Sequence, residues 1–228
     1  MAMSRLKDLS YEDWIEHLFC HEVRLHGNAW YFDLDAPLWD GSPDETVAHL
    51  TRFFENPEPA LAYFSDAQID QGLRYIIDNG AGDLLGAVRE PSVPLPDRRR
   101  CVSAMRTLYD KLFLPRCMPH LSHLDRVQAG GGPLNLICYM WWDIIPGVTT
   151  PHDPHHHAMN EAALGVMRHA LSLDSIACQE SALHGLGHWA NVNVAAIASI
   201  IDAYLDARPD LRPELRRYAL AARTGCIQ

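Results

Sequence analysis

Two histidines four residues apart, His184 and His188, close the segment DSIACQESALHGLGHW at residues 174–189. On a helix, that spacing projects both imidazoles from one face and offers two nitrogens to one metal ion. Further donors lie close in sequence. His152, Asp153, His155, His156 and His157 stand on the loop GVTTPHDPHHH, while Cys178 and Glu180 share the helix but sit off the face of His188. The loop is placed to fold back over the helix. Zinc, nickel or ferrous iron suits two imidazoles joined by a loop histidine or aspartate, and an open coordination position would make the site catalytic. The metal reading therefore takes His184, His188, His152 and Asp153 as ligands, zinc or iron as cofactor, and Asp143, Asp153 or Glu180 as acid–base groups. Zinc-protease chemistry is excluded, because Gly185 stands where H-E-x-x-H needs its glutamate.

The competing reading is structural, and it is the one preferred. Gly185 and Gly187 each disfavour a helix interior by about 1 kcal/mol, so the helix can end there with its C-terminal dipole favouring a protonated His188. Alternatively, those glycines let neighbouring helices approach closely. No resident metal or cofactor and no catalytic residue is then expected. Adjacent Trp141 and Trp142 followed by Asp143 suit either an aromatic pocket for a cationic ligand or core packing, with packing favoured. If one region has function, it is the rim formed by 139–157 and 180–189, with Trp142, Asp143, His155, Glu180, His184 and His188 as its binding residues. Other enzymatic templates are absent: no G-x-S-x-G, no phosphate-cradling loop, and GAGDLLG at 80–86 lacks a preceding strand. Cys178 and His184 are six residues apart, about 240° around a helix, and do not form a nucleophilic pair.

The elements that must carry these groups read as helices almost throughout. Ser10 with Asp13, Ser42 with Pro43 and Glu45, and Ser65 with Gln68 are N-terminal capping signatures, each followed by apolar residues at helical spacing. The first helix is expected to reach about Gly27, and the third to end at Asn79-Gly80 in a left-handed cap. REPSVPLPD at 89–97 is too proline-rich for helix or central strand, so it should join two helical blocks, about 1–90 and 95–228, of one domain. Val102, Met105, Leu108, Tyr109, Leu112 and Phe113 share a face of the next helix, with Arg98, Arg99 and Arg100 before it given no role. LNLICYMWWDII at 134–145, apolar nearly all round, reads as a central helix. Four helices of similar length then fill the C-terminal third, Asp174 or Ser175 capping one and Gly225 closing the last.

Composition bounds the function. With 228 residues, of which 48% are hydrophobic, the chain buries about 70–75% of its unfolded surface and needs no staple. Six cysteines without C-x-x-C spacing read as reduced, mostly buried thiols, and no segment has signal-peptide or membrane-spanning character, so a cytoplasmic location is expected. A formal charge of −10 disfavours nucleic acid as a partner and favours a basic protein surface, and without a spanning apolar segment no membrane partner is expected.

IACQESALHGLGHW resembles the inner helix of a HEAT-like or armadillo-type repeat, its small residues Ala177, Ser181, Ala182 and Gly185 permitting close packing. The pairs 158–189 and 194–224 lie roughly one such repeat, about 40 residues, apart. The resemblance covers the C-terminal third. It implies an all-α fold of stacked antiparallel helix pairs, an α-solenoid or irregular bundle, and the role of an interaction scaffold or acidic, immunity-like inhibitor of a macromolecule. The alternative is a metal-dependent enzyme built on His184 and His188.

Overall fold

The computed structural model describes residues 5–24, 26–125, 132–142, 153–190 and 193–227. Among these, the chain is all-α apart from a two-residue parallel bridge between β1 (Arg5–Leu6) and β2 (Leu38–Trp39). The helices are α1 (Tyr11–Phe19), α2 (Pro43–Glu55), α3 (Pro57–Leu61), α4 (Asp66–Ile77), α5 (Leu95–Leu108), α6 (Leu114–Arg116), α7 (Pro133–Met140), α8 (His156–Ser172), α9 (Ile176–Trp189), α10 (Val194–Ala207) and α11 (Pro213–Arg223).

The expected caps form. Ser10, Ser42 and Ser65 accept the N–H groups of Asp13, Glu45 and Gln68 at 3.1, 3.3 and 3.3 Å, and Gln68 returns the bond to the Ser65 N–H. Each satisfies donors that a helix start leaves open. Ser175 caps α9, and Gly225 takes the left-handed conformation (φ +72°) just past α11.

Three boundaries differ from expectation. α1 stops at Phe19 instead of near Gly27, because its buried face, Trp14, Ile15, Leu18 and Phe19, is exhausted there. After α4 the left-handed residue is Asp83 (φ +44°), not Gly80, since Asp78 already turns the chain by accepting the Gly80 N–H at 2.7 Å. Within the proline-rich stretch α5 begins at Leu95, with proline in its first turn, where no N–H partner is lost. A π turn, Tyr109–Phe113, then joins α5 to α6 as one helical rod.

The helices stack in two layers. In one, α1 packs on α4, α4 on α7, α7 on α9 and α9 on α11; in the other, α2 packs on α5, α5 on α8 and α8 on α10. Successive elements alternate between layers, α8 returning as α9 through residues 173–175 alone. Each pair covers the apolar face that its neighbour exposes. One hydrophobic cluster runs from Trp14 to Ala222, passing through the loop between the two expected blocks.

The most consequential departure is Arg98, given no role in the sequence but fully buried. Its guanidinium bonds the Val88 carbonyl at 2.8 Å and pairs with Asp153, which also accepts the His155 N–H at 2.8 Å. Burial pushes the Asp153 carboxyl up, but the His155 N–H and the Arg98 charge outweigh it and hold the group below the ordinary carboxylate range.

Arg98→Ala strands that carboxylate, so urea unfolding at neutral pH should show a loss of about 3–5 kcal/mol, whereas Arg98→Met/Asp153→Leu should recover most of it. In the wild type the stabilisation is complete above about pH 4, where the unfolded carboxyl ionises, and drains away as pH falls through the lower folded value. An Arg98→Ala variant as stable as wild type would contradict this account.

Candidate functional site

α9 lies in the middle of its layer, between α7 and α11, and from Ala177 to Gly187 every residue is buried. It stays helical through both glycines to Trp189. At Gly185 a Cβ would stand 2.5 Å from the Cβ of Trp142, so the missing side chain is what admits the indole. Of the two roles considered for the glycines, close approach is the one realised.

Glu180, His184 and His188 recur every four residues and form one stripe along α9. The fully buried Glu180 carboxylate accepts the N–H groups of Ser122 and His123 at 2.8 and 3.1 Å, and the His123 Nδ1–H at 2.5 Å. The ring of His123 stacks on Tyr218 of α11, centroids 4.2 Å apart. The Tyr218 hydroxyl lies 2.6 Å from His184 Nδ1 and 3.2 Å from the Tyr139 hydroxyl of α7. Finally, His184 Nε2 and His188 Nε2 face each other at 3.1 Å, with their rings perpendicular. Glu180, expected off the face of His188, thus belongs to the same cluster: eight residues turn a helix by only about 80° beyond two full turns.

The cluster runs from a buried carboxylate to an exposed imidazole. Glu180 accepts only, so His123 donates from Nδ1 and its Nε2 is left as the other ring nitrogen. Between His184 and His188 one proton can be shared, donated by one neutral ring to the other. The same spacing fits a chelate. Two nitrogens at about 2.0–2.1 Å from one metal ion lie roughly 2.9–3.4 Å apart across the angles of octahedral to tetrahedral coordination. Tyr218 at Nδ1 would then orient His184, the place usually taken by an outer-shell partner.

The other expected site residues scatter. Trp142 is a correction: it is fully buried and its indole N–H donates to the Tyr109 hydroxyl at 2.9 Å, so it packs the core and lines no open surface. Asp153 is committed to Arg98 and the His155 N–H. His155 is exposed at the start of α8. Asp143 and His152 lie outside the described residues, as does the end of the helix expected over 134–145. Among the described residues no group of three or more His, Cys, Asp or Glu side chains converges so as to hold a metal ion. His123 and Tyr218 were not anticipated. Tyr218 carried one signal, an aromatic with a polar tip on the apolar face of α11, whose hydroxyl needs a partner when buried. His123, in a loop without periodicity, carried none.

A second region concentrates charge. Residues 1–45 hold ten carboxylates against three lysines and arginines, most of the chain's excess. At that end of the array a cleft of about 840 Å³ is walled by Tyr11, Glu12, Asp13, Glu16, Arg52 and Tyr63. Tyr63 is 95% exposed. Arg52 lies 3.8 Å over the Tyr11 ring and bonds Glu12 at 2.7 Å.

Comparison with known protein families, with curated proteins and with solved structures finds no match to this chain. The fold is an all-helical array of stacked helix pairs, and the histidine stripe and the acidic cleft define what it can do chemically.

Two substitutions test the cluster. Glu180→Gln turns an amide N–H₂ toward Ser122 and His123, which are themselves donors, and should cost about 1–3 kcal/mol while exposing both backbone amides to hydrogen exchange. Tyr218→Phe should cost about 1 kcal/mol and shift the His184 ring nitrogens in an NMR spectrum, leaving His155 unmoved. Unchanged His184 resonances would mean the Tyr218 hydroxyl does not hold the ring.

Proposed function

We propose that this chain is a HEAT-like interaction protein whose acidic α1 end takes a basic segment of a protein partner. The observation that carries the reading is the crowding of carboxylates into residues 1–45, at one end of a stacked array. A solenoid presents extended faces without needing catalytic residues, and one end carrying most of the charge steers an oppositely charged partner to it. The cleft supplies short-range chemistry to match. Arg52, seated over Tyr11 and bonded to Glu12, is the protein's own example of how a guanidinium fits there. Asp13, Glu16 and the exposed Tyr63 offer the same combination of carboxylate and ring to a second cation. A basic toxin held by an immunity-like inhibitor is one partner with that chemistry.

The test is fluorescence polarisation with a labelled lysine/arginine-rich peptide of about a dozen residues at low salt. Binding should weaken roughly three- to tenfold in Asp13→Asn/Glu16→Gln and again in Tyr63→Ala, and should fall with added salt. Equal affinity for an acidic peptide, or indifference to these variants, would overturn the proposal.

A second reading is favoured by one specific distance, the 3.1 Å between His184 Nε2 and His188 Nε2. In it the two imidazoles chelate zinc or ferrous iron, with the remaining positions filled by water, by substrate or by donors outside the described residues, and the protein is a metal-dependent enzyme. Elemental mass spectrometry on tag-free protein decides: about one equivalent of a single metal, lost in His184→Ala/His188→Ala, is the expected result, and a metal-free wild type refutes it.

A further inference from the structure

Three of the six cysteines meet in one place, away from the histidines at the other end of α9. Cys117 follows α6, with its N–H bonded to the Phe113 carbonyl at 2.9 Å; Cys138 is in the second turn of α7; Cys178 is in the first turn of α9. Asn135 clamps the first two segments together, accepting the Met118 N–H and donating to the Met118 carbonyl, each at 2.8 Å. The Cys138 thiol reaches the Ala177 carbonyl of α9 at 3.7 Å. The Cys117 and Cys178 thiols both lie close enough to Cys138 to act on its acidity.

Exposure is graded along this row. Cys138 and Cys178 are fully buried, whereas Cys117 is half-buried and borders an open cleft of about 520 Å³ whose rim includes Arg208 and Arg212. A small oxidant from solvent therefore meets Cys117 first, with a second thiol already beside it. Cys20 and Cys226 are exposed without such a neighbour among the contacts described, and Cys101 is buried elsewhere, against Thr51.

We propose that Cys117 and Cys138 form a hydroperoxide-reactive dithiol, with Cys117 as the attacked thiol and Cys138 as the one that resolves it. In the first step the Cys117 sulfur bonds to the terminal peroxide oxygen and the O–O bond breaks, giving a sulfenic acid and releasing water or an alcohol. Sulfur loses two electrons and the peroxide gains them. In the second step the Cys138 sulfur bonds to the Cys117 sulfur and the S–O bond breaks, the hydroxyl leaving as water with the Cys138 proton. The sum is two thiols and one hydroperoxide giving a disulfide, an alcohol or water, and a further water.

The environment suits these roles. Burial keeps the Cys138 thiol from solvent oxidants and pushes its pKa well above the ordinary range, which slows its attack on any sulfur, so the second step depends on Cys117 already standing next to it. The resulting bond would close the chain from 117 to 138, the stretch that carries His123. The inference does not rest on the proposed partner or on the metal reading.

The experiment is a peroxide titration of the intact protein. Full-length protein is treated with one equivalent of hydrogen peroxide, alkylated after unfolding, and mapped by mass spectrometry without reduction. The expected product is one linked pair of peptides, Cys117 to Cys138, lighter by two hydrogens. Cys117→Ser should abolish that pair and leave Cys138 fully alkylated. Cys138→Ala should leave a Cys117 sulfenic acid that dimedone traps. Cys20→Ser/Cys226→Ser should give the wild-type map. Full alkylation of Cys138 in peroxide-treated wild type, or links confined to Cys20 and Cys226, would overturn the proposal. Because Cys117 is only half-buried, its serine variant tests the idea even if the Cys138 variant does not fold.

Discussion

The approach of Trp142 onto Gly185 is the contact on which the α7–α9 half of the fold depends. A tryptophan is the largest side chain a core can hold, and this one approaches α9 so closely that a Cβ at position 185 would overlap it. With the indole seated, its N–H reaches Tyr109, and Tyr109 reaches Ser181 at 2.7 Å, so one close approach ties the α5–α6 rod, α7 and α9 together. Ser181 continues the chain by donating to the Cys138 carbonyl. The histidine stripe and the thiol row both lie along this seam, at opposite ends of α9. The helix propensity lost at Gly185, about 1 kcal/mol, is small beside the burial of a whole indole.

A different constraint governs the other layer. Arg98 and Asp153 bring full charges into the core, where the cost of leaving water is offset only by good pairing. Asp153 serves twice, neutralising Arg98 and accepting the N–H of His155 where α8 begins. The start of α8 is therefore fixed by a residue on α5, not by a local serine. α8 has no side-chain cap of its own, whereas α1, α2, α4 and α9 each have one.

What was legible in the sequence was what is local. Capping serines, proline at helix starts, Gly225, and the apolar faces of α1, α2, α4 and α5 are all set by residues within a turn or two of one another. The layered stacking was legible in outline, because alternating helices with short connections can bury their faces only in that way. The polar interior was not. Arg98 and Asp153 are 55 positions apart, Glu180 and His123 are 57, and His184 and Tyr218 are 34. No spacing rule reaches across such gaps. Spacing did place His184 and His188 on one side of α9, but a misjudged rotation left Glu180 off that side. The loop carrying His123 then supplied a partner that nothing in the periodicity marked.

The wide turn at Tyr109–Phe113 gives the rod from Leu95 to Arg116 two allegiances. Its first part, α5, packs on α2 and α8 in one layer, and the wide turn packs on α3, α7 and α9, reaching the other. An unbroken α-helix would keep the same stripe turned toward the same neighbours along its whole length. The additional residue offsets the sequence period of the later part of the rod by about 100° from that of the earlier part. The π turn spends one residue more than an α turn, so removing one residue within it would close it to ordinary α geometry while the residues after it kept the neighbours they now have. The rod can therefore lose one residue of length at Tyr109–Phe113 without re-aiming either of its halves.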